Sequence, residues 1–175
     1  MIEIRNYIES DRPYLEHICS VTDRYHLDKD LLYTLYLHNY TDADPSHVFV
    51  AVSDGKPVGY ILCAPNHAFW SRMMREKFLS GKNKEIVRKG EESIEGYIPY
   101  LERYPAHLHI DIDPEYQRMG IGRSLMSALV EKLRSEGSKG LMLTVSPENT
   151  GAVAFYTSCG FRQIGTDIEA MGLIL

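Results

Sequence analysis

The stretch IDPEYQRMGIGRSLMSALVEKL, Ile112 to Leu133, sets Gly120 and Gly122 one residue apart, directly after an apolar run and directly before a helical pattern. A strand, a glycine turn and a helix N-terminus in that order make a ready anion site, because free backbone amides converge there and the helix dipole adds positive potential. Two familiar phosphate motifs do not fit. The dinucleotide fingerprint needs a third glycine where Leu125 stands, and the Gly-Lys-Ser/Thr of the P-loop is absent. An anion cradle and a tight turn without ligand both remain open on spacing alone.

Working outward, the chain reads as an ordered series of elements without internal repeat or low-complexity linker. Ile2 to Tyr7 alternates like a strand. Ser10 and Asp11 offer a helix cap ahead of Pro13, and a second helix is expected after Asp28 to Asp30. HVFVAVSDGKPVGYILCA is two strand-like runs joined at Asp54-Gly55, a strong hairpin signal. Between Asn66 and Arg103, Trp70, Met74 and Phe78, then Ile94, Ile98 and Leu101, recur at helical spacing as packing stripes. AHLHIDI returns to strand before the quoted helix. LMLTV is a further strand, GAVAFYTSC a short helix ended by Gly160, and FRQIG and AMGLIL can close the sheet. The reading is a single α/β domain, residues 1–175, with a mixed sheet and a helical insertion at about 66–103.

Composition narrows the function classes. The 175 residues, 44% hydrophobic and a quarter charged, suit one soluble globular domain. A net charge of −5 argues against a nucleic-acid binder that neutralises many phosphates and suits a cationic substrate better. Three widely spaced cysteines, Cys19, Cys63 and Cys159, read as buried thiols in a reducing compartment rather than as a disulfide framework. The start MIEIRNYIES lacks the features of a signal peptide and no run is long enough to span a bilayer, so the expectation is a cytoplasmic protein that engages no membrane.

The set YQRMGIGRSLM plus SPENTGAVAFYTSCGF resembles the Gcn5-related N-acetyltransferase (GNAT) superfamily from about Leu108 to Gly165. The resemblance implies a GNAT-like fold, with a mixed, mostly antiparallel central sheet flanked by helices. It also implies acetyl-coenzyme A as co-substrate and an amine of a small molecule or peptide as acceptor, with a homodimer left open. Gln117, Arg118, Met119, Gly120, Ile121, Gly122, Arg123 and Ser124 fall on the family loop whose amides hold the pyrophosphate, so both glycines are expected to make room for it. Asn149, Ala152, Phe155 and Tyr156 fall on the motif that borders the pantetheine arm, and Gly160 and Phe161 complete it. Backbone groups around Ile110 and Ile112 are implied to serve the oxyanion and the pantetheine, and Tyr156 to protonate the departing thiolate. YPAHLHIDIDPEYQ looks most like the acetyltransferase-like branch appended to some O-GlcNAc hydrolases.

Direct acetyl transfer requires a deprotonated amine, and HLHIDID supplies a candidate base. With a period of two, Leu108, Ile110 and Ile112 share one face and His107, His109, Asp111 and Asp113 the other. A central strand of a covered sheet is normally apolar on both faces, so this polar row must line a cleft, contact an exposed surface or pair internally. His109 and Asp111 are read as base and orienter, in either order, or as a buried pair that only supports the strand. Two rival readings stand beside the transferase. One is a non-catalytic acetyl-CoA-binding or protein-interaction domain of the same fold, and the other is a metal-dependent hydrolase using His107, His109 and Asp111. Tyr25, Tyr33, Tyr36, Tyr40 and Trp70 are available to line an acceptor pocket, although each alone reads more readily as packing.

Overall fold

The computed structural model describes residues 1–166 and 169–175. In chain order the elements are β1 (Ile2–Asn6), α1 (Arg12–Thr22), α2 (Lys29–Tyr33), α3 (Asn39–Thr41), β2 (Val48–Ser53), β3 (Lys56–Ala64), α4 (His67–Met73), α5 (Lys84–Tyr97), β4 (Ala106–Ile112), α6 (Ile121–Ser135), β5 (Gly140–Thr144), α7 (Thr150–Ser158), β6 (Arg162–Gln163) and β7 (Ala170–Ile174). They form one seven-stranded sheet in the order β1-β2-β3-β4-β5-β7-β6, antiparallel throughout except for the central β4–β5 pair.

Local chemistry explains most of these boundaries. Asp54 and Gly55 adopt φ of 49° and 80°, so the β2–β3 hairpin closes through the two left-handed positions that an Asp-Gly pair tolerates. Asp28, Asn66 and Asn83 cap α2, α4 and α5 by accepting from first-turn amides. Asp11 behaves differently from a simple cap: it ends a turn at Glu9–Asp11, accepts from the Ile8 amide at 3.0 Å and pairs with Arg5. Helical structure continues past α2 and α4 through π turns at Thr34–His38 and Met74–Phe78. Trp70, Met74, Phe78 and Ile94 are buried as their spacing predicts, whereas Ile98 is 55% exposed because the chain leaves the helical period there for a tight turn at Ile98–Tyr100. Cys19 and Cys63 are buried thiols, but Cys159, at the end of α7, is only half-buried.

Two apolar layers sandwich the sheet. Leu15, Ile18, Leu37, Tyr60, Leu62, Met74 and Ile94 build the layer shared with α1 to α5. Ile61, Leu108, Leu125, Leu129, Leu141 and Phe161 build the layer under α6 and α7. The strand β4 therefore turns its polar row to the first layer and Leu108, Ile110 and Ile112 to the second.

Pairing of β4 with β5 covers only Ala106 with Leu141 and His107 with Met142. β5 pairs with β7 along its whole length, Gly140 to Thr144, and beyond Met142 the two central strands part. The closed end is held by Tyr104, whose ring lies over Gly140 and Gly172: a Cβ on Gly140 would meet that ring at 2.9 Å and run into the Arg103 carbonyl. Because backbone cannot move aside as a side-chain tip can, Gly140→Ala is expected to cost about 1–3 kcal/mol of stability. Gly96 lies inside α5 with nothing near its absent Cβ, so Gly96→Ala should instead stabilise by about 0.5–1 kcal/mol. Thermal unfolding of the two variants checks both signs.

Candidate active site

The parting of β4 from β5 opens an edge in the middle of the sheet. The Asp113 amide bonds the Val58 carbonyl on the β3 side, so by strand alternation the backbone groups of Leu108, Ile110 and Ile112 turn to the open side. Gln117 already occupies one of them, donating from Nε2 to the Ile112 carbonyl at 3.0 Å and tying the glycine loop to the strand end. Asp113, expected in the polar row, lies past the end of the strand, where it accepts from the Glu115 amide to cap the turn at Pro114–Tyr116.

The loop then makes two left-handed residues, Arg118 at φ 62° and Gly120 at φ 82°, and enters α6. Ser124 makes the first intrahelical bond, to the Gly120 carbonyl, which leaves the amides of Ile121, Gly122 and Arg123 without helical acceptors. Nothing lies within 4 Å of a Cβ placed on Gly120, so the approach to these amides is open, with Arg118, Met119, Arg123 and Ser124 exposed around it. Gly122 corrects the expectation that both glycines clear one space. It is buried, and a Cβ there would sit 3.1 Å from the Phe155 ring and 3.2 Å from Ile112 Cδ1, so its bareness lets α7 and β4 approach α6.

Across the opening, Asn149 caps α7 by accepting from the Ala152 amide, and Ala152 and Phe155 are half-buried beside it. Tyr156 is buried, with its ring against Phe155 and Phe161. Burial pushes its phenol well above the ordinary value, and the negative charge of Asp111 adds to the rise.

On the other face, His109 Nε2 lies 2.9 Å from Asp111 Oδ2, and Tyr60 donates its hydroxyl to the same oxygen at 2.7 Å. A carboxylate has no proton to give, so Nε2 is the donor in this contact, and in the neutral ring Nδ1 is then the lone-pair nitrogen. His109 and Asp111 are half-buried, and the Tyr36 ring stands 5.4 Å from His109. Of the tyrosines available for an acceptor pocket, Tyr36 and Tyr25 remain exposed, while Tyr40 and Trp70 are core residues. Tyr33 is half-buried and bonds Ser20.

His107 departs from the row's common role. It is fully buried, stacked at 4.0 Å on Tyr97, edge-on to Trp70, and bonded through Nδ1 to the Tyr40 hydroxyl. Among the described residues no group of three His, Cys, Asp or Glu side chains converges to hold a metal, so the hydrolase reading loses its ligand set. The partners of His107 come from α3, α4 and α5, and no local sequence signal announces them. Tyr60, opposite Asp111 on the neighbouring strand β3, is likewise absent from any motif.

Comparison with known proteins decides the family. The sequence pattern of the acetyltransferase (GNAT) family matches residues 4–161. The chain belongs to the GNAT acetyltransferase family. Among its GNAT relatives, the [ribosomal protein bS18]-alanine N-acetyltransferase of Escherichia coli is 30% identical over 113 residues, 61% of this chain and 74% of that protein. The mycothiol acetyltransferase of Acidothermus cellulolyticus is 30% identical over 125 residues, 71% of this chain and 32% of its own. The solved structure of SsHAT superposes with a TM-score of 0.88 at 27% identity, covering 99% of this chain and 98% of that one. PaiA N-acetyltransferase from Thermoplasma acidophilum, solved in complex with coenzyme A, shares the GNAT fold at a TM-score of 0.66 and 17% identity, over 100% of this chain and 99% of its own. By name, the two relatives at 30% identity are ribosomal-protein and mycothiol acetyltransferases. Among the described residues no helix is long and apolar enough to cross a membrane.

Burial holds the His107 imidazole well below its ordinary value of 6.5, and His107 Nε2, His67 Nδ1 and Trp70 Nε1 are buried without hydrogen-bond partners among the described residues. The native state thus keeps His107 neutral while the unfolded chain takes up a proton below about pH 6.5. Stability should therefore fall as pH drops from 6.5 towards the depressed native value, by up to about 1.4 kcal/mol per pH unit from this residue. Chemical denaturation between pH 7 and 5 checks this: His107→Phe should show a shallower decline than the parent protein, and equal slopes would contradict it.

Proposed function

We propose that this GNAT protein transfers the acetyl group of acetyl-coenzyme A directly to an amine of a small molecule or peptide. The reading is supported chiefly by the β4 edge left unpaired by β5 beyond His107, next to the open first turn of α6, together with the buried Tyr156 phenol and the His109–Asp111 pair. Each group matches one requirement of acyl transfer.

The amides of Ile121, Gly122 and Arg123 would hold the pyrophosphate at the helix N-terminus, with Gly120 leaving the path clear and Arg118 and Arg123 adding positive charge. Acetyl-coenzyme A, when bound, supplies the acetyl thioester. Ile110, at the open strand edge, presents its N–H to a developing oxyanion, a donor that needs no particular side chain. Asn149, Ala152 and Phe155 would border the pantetheine arm from the α7 side. His109 takes the amine proton on its bare Nδ1, and Asp111 orients the ring and steadies the positive charge it gains. Tyr156 stays protonated at neutral pH because burial opposes its ionisation, and so can give its proton to the departing sulfur. No covalent protein nucleophile is required.

Gly120→Asp should abolish binding of acetyl-coenzyme A by calorimetry, since the added carboxylate enters the open approach and repels the phosphates. Unchanged affinity in the folded variant would remove the loop from the site. Tyr156→Phe keeps the ring packing, so coenzyme affinity should change little while turnover with an acetylated amine falls about a hundredfold or more. Equal turnover at every pH would take Tyr156 out of the mechanism. Retained binding without transfer to any member of a broad amine panel would favour a non-catalytic coenzyme-binding domain.

A further inference from the structure

We propose that Tyr60 is the positioning residue of the His109–Asp111 pair, fixing the Asp111 carboxylate so that His109 is held as a single tautomer with Nδ1 bare. The inference rests on reading His109 as the base, and it assigns a role to a residue that no sequence motif singles out. Tyr60 lies directly opposite Asp111 in the β3–β4 register, with Leu62 opposite His109 one step along on the same face. Its side chain is fully buried in the layer shared with α1 to α5, so its ring has a single setting. The hydroxyl donates to Asp111 Oδ2 at 2.7 Å, the same oxygen that takes the His109 Nε2 hydrogen at 2.9 Å.

The consequence is geometric. A half-exposed carboxylate with one mobile donor can rotate and present either oxygen, and the imidazole that follows it can then turn over or exchange tautomers. A second donor anchored in the core removes that freedom, because Oδ2 must stay where the phenol points. Burial also holds the Tyr60 phenol well above its ordinary range, which keeps it a donor beside the negative charge. An ordinary core tyrosine needs only some acceptor for its hydroxyl. This one uses the carboxylate that orients the base, across the strand pair bordering the gap.

The test combines nitrogen-15 NMR of the histidine rings with kinetics on Tyr60→Phe, which keeps the ring and removes only the donor. The native protein should show His109 as the Nε2–H tautomer alone, and Tyr60→Phe should show a mixture of both neutral tautomers. With an accepted amine, kcat should fall about tenfold while KM for acetyl-coenzyme A stays unchanged. In an Asp111→Asn background the same change should add no further loss, since the two act as a unit. A single unchanged tautomer in folded Tyr60→Phe, or a loss that adds in full to that of Asp111→Asn, would overturn the assignment. The tautomer measurement needs no acetyl transfer, so a native protein inactive towards every amine would sink the transferase reading without deciding this one. Should Tyr60→Phe fail to fold, the native protein still decides: a slowly exchanging Tyr60 hydroxyl proton with a through-space signal to the His109 Nε2 hydrogen is expected, and its absence contradicts the proposal.

Discussion

The site depends on a parallel strand pair that lasts two residues. Ala106 and His107 bond Leu141 and Met142, and then β4 and β5 separate because each is committed elsewhere: β4 to β3 through six residue pairs, β5 to β7 through five. Tyr104 over Gly140 and Gly172 clamps the closed end. Tyr97 stacks on His107 and brings its hydroxyl beside Thr144 at the end of β5, so a ring from α5 stands where the strands diverge. With both strands anchored, the unpaired backbone of β4 is a permanent feature of the fold, and an extended ligand can add to it as a strand would.

Around that gap, the two faces of one short strand divide the chemistry. Leu108, Ile110 and Ile112 join the apolar layer under α6, which seats the glycine loop and turns the bare helix end towards the opening. His109 and Asp111 face the other layer, where Tyr60 reaches them from below and Tyr36 flanks them at the surface. The bare helix end and the His109–Asp111 pair are thus set on the two opposite faces of the one strand β4. His107, two residues from His109 on the same face, is excluded from this chemistry by its aromatic surroundings.

How much of this was legible in the sequence follows from how local each constraint is. Asp54-Gly55 and Gly120 announce themselves because a left-handed backbone demands particular residues. The pairing of His109 with Asp111 is readable because a strand's period of two is fixed by geometry. Gly122 misleads: its spacing suits an anion loop, but its neighbours Phe155 and Ile112 come from elements distant in the chain. Tyr60 is silent for a similar reason. Its partner depends on the β3–β4 register, on the far side of a bulge that shifts β2 against β3 near Ala51 and Val52. Ile98 fits a helical stripe yet points to solvent, since the tight turn at Ile98–Tyr100 breaks the period that made the pattern.

A crystal structure with acetyl-coenzyme A bound tests the central claim most directly. The account predicts the pyrophosphate on the amides of Ile121 to Arg123, the pantetheine arm along the free edge of β4 beside Phe155, and the thioester between Tyr156 and His109. Coenzyme bound on any surface other than the β4–β5 gap, or a thioester out of reach of both side chains, would contradict it.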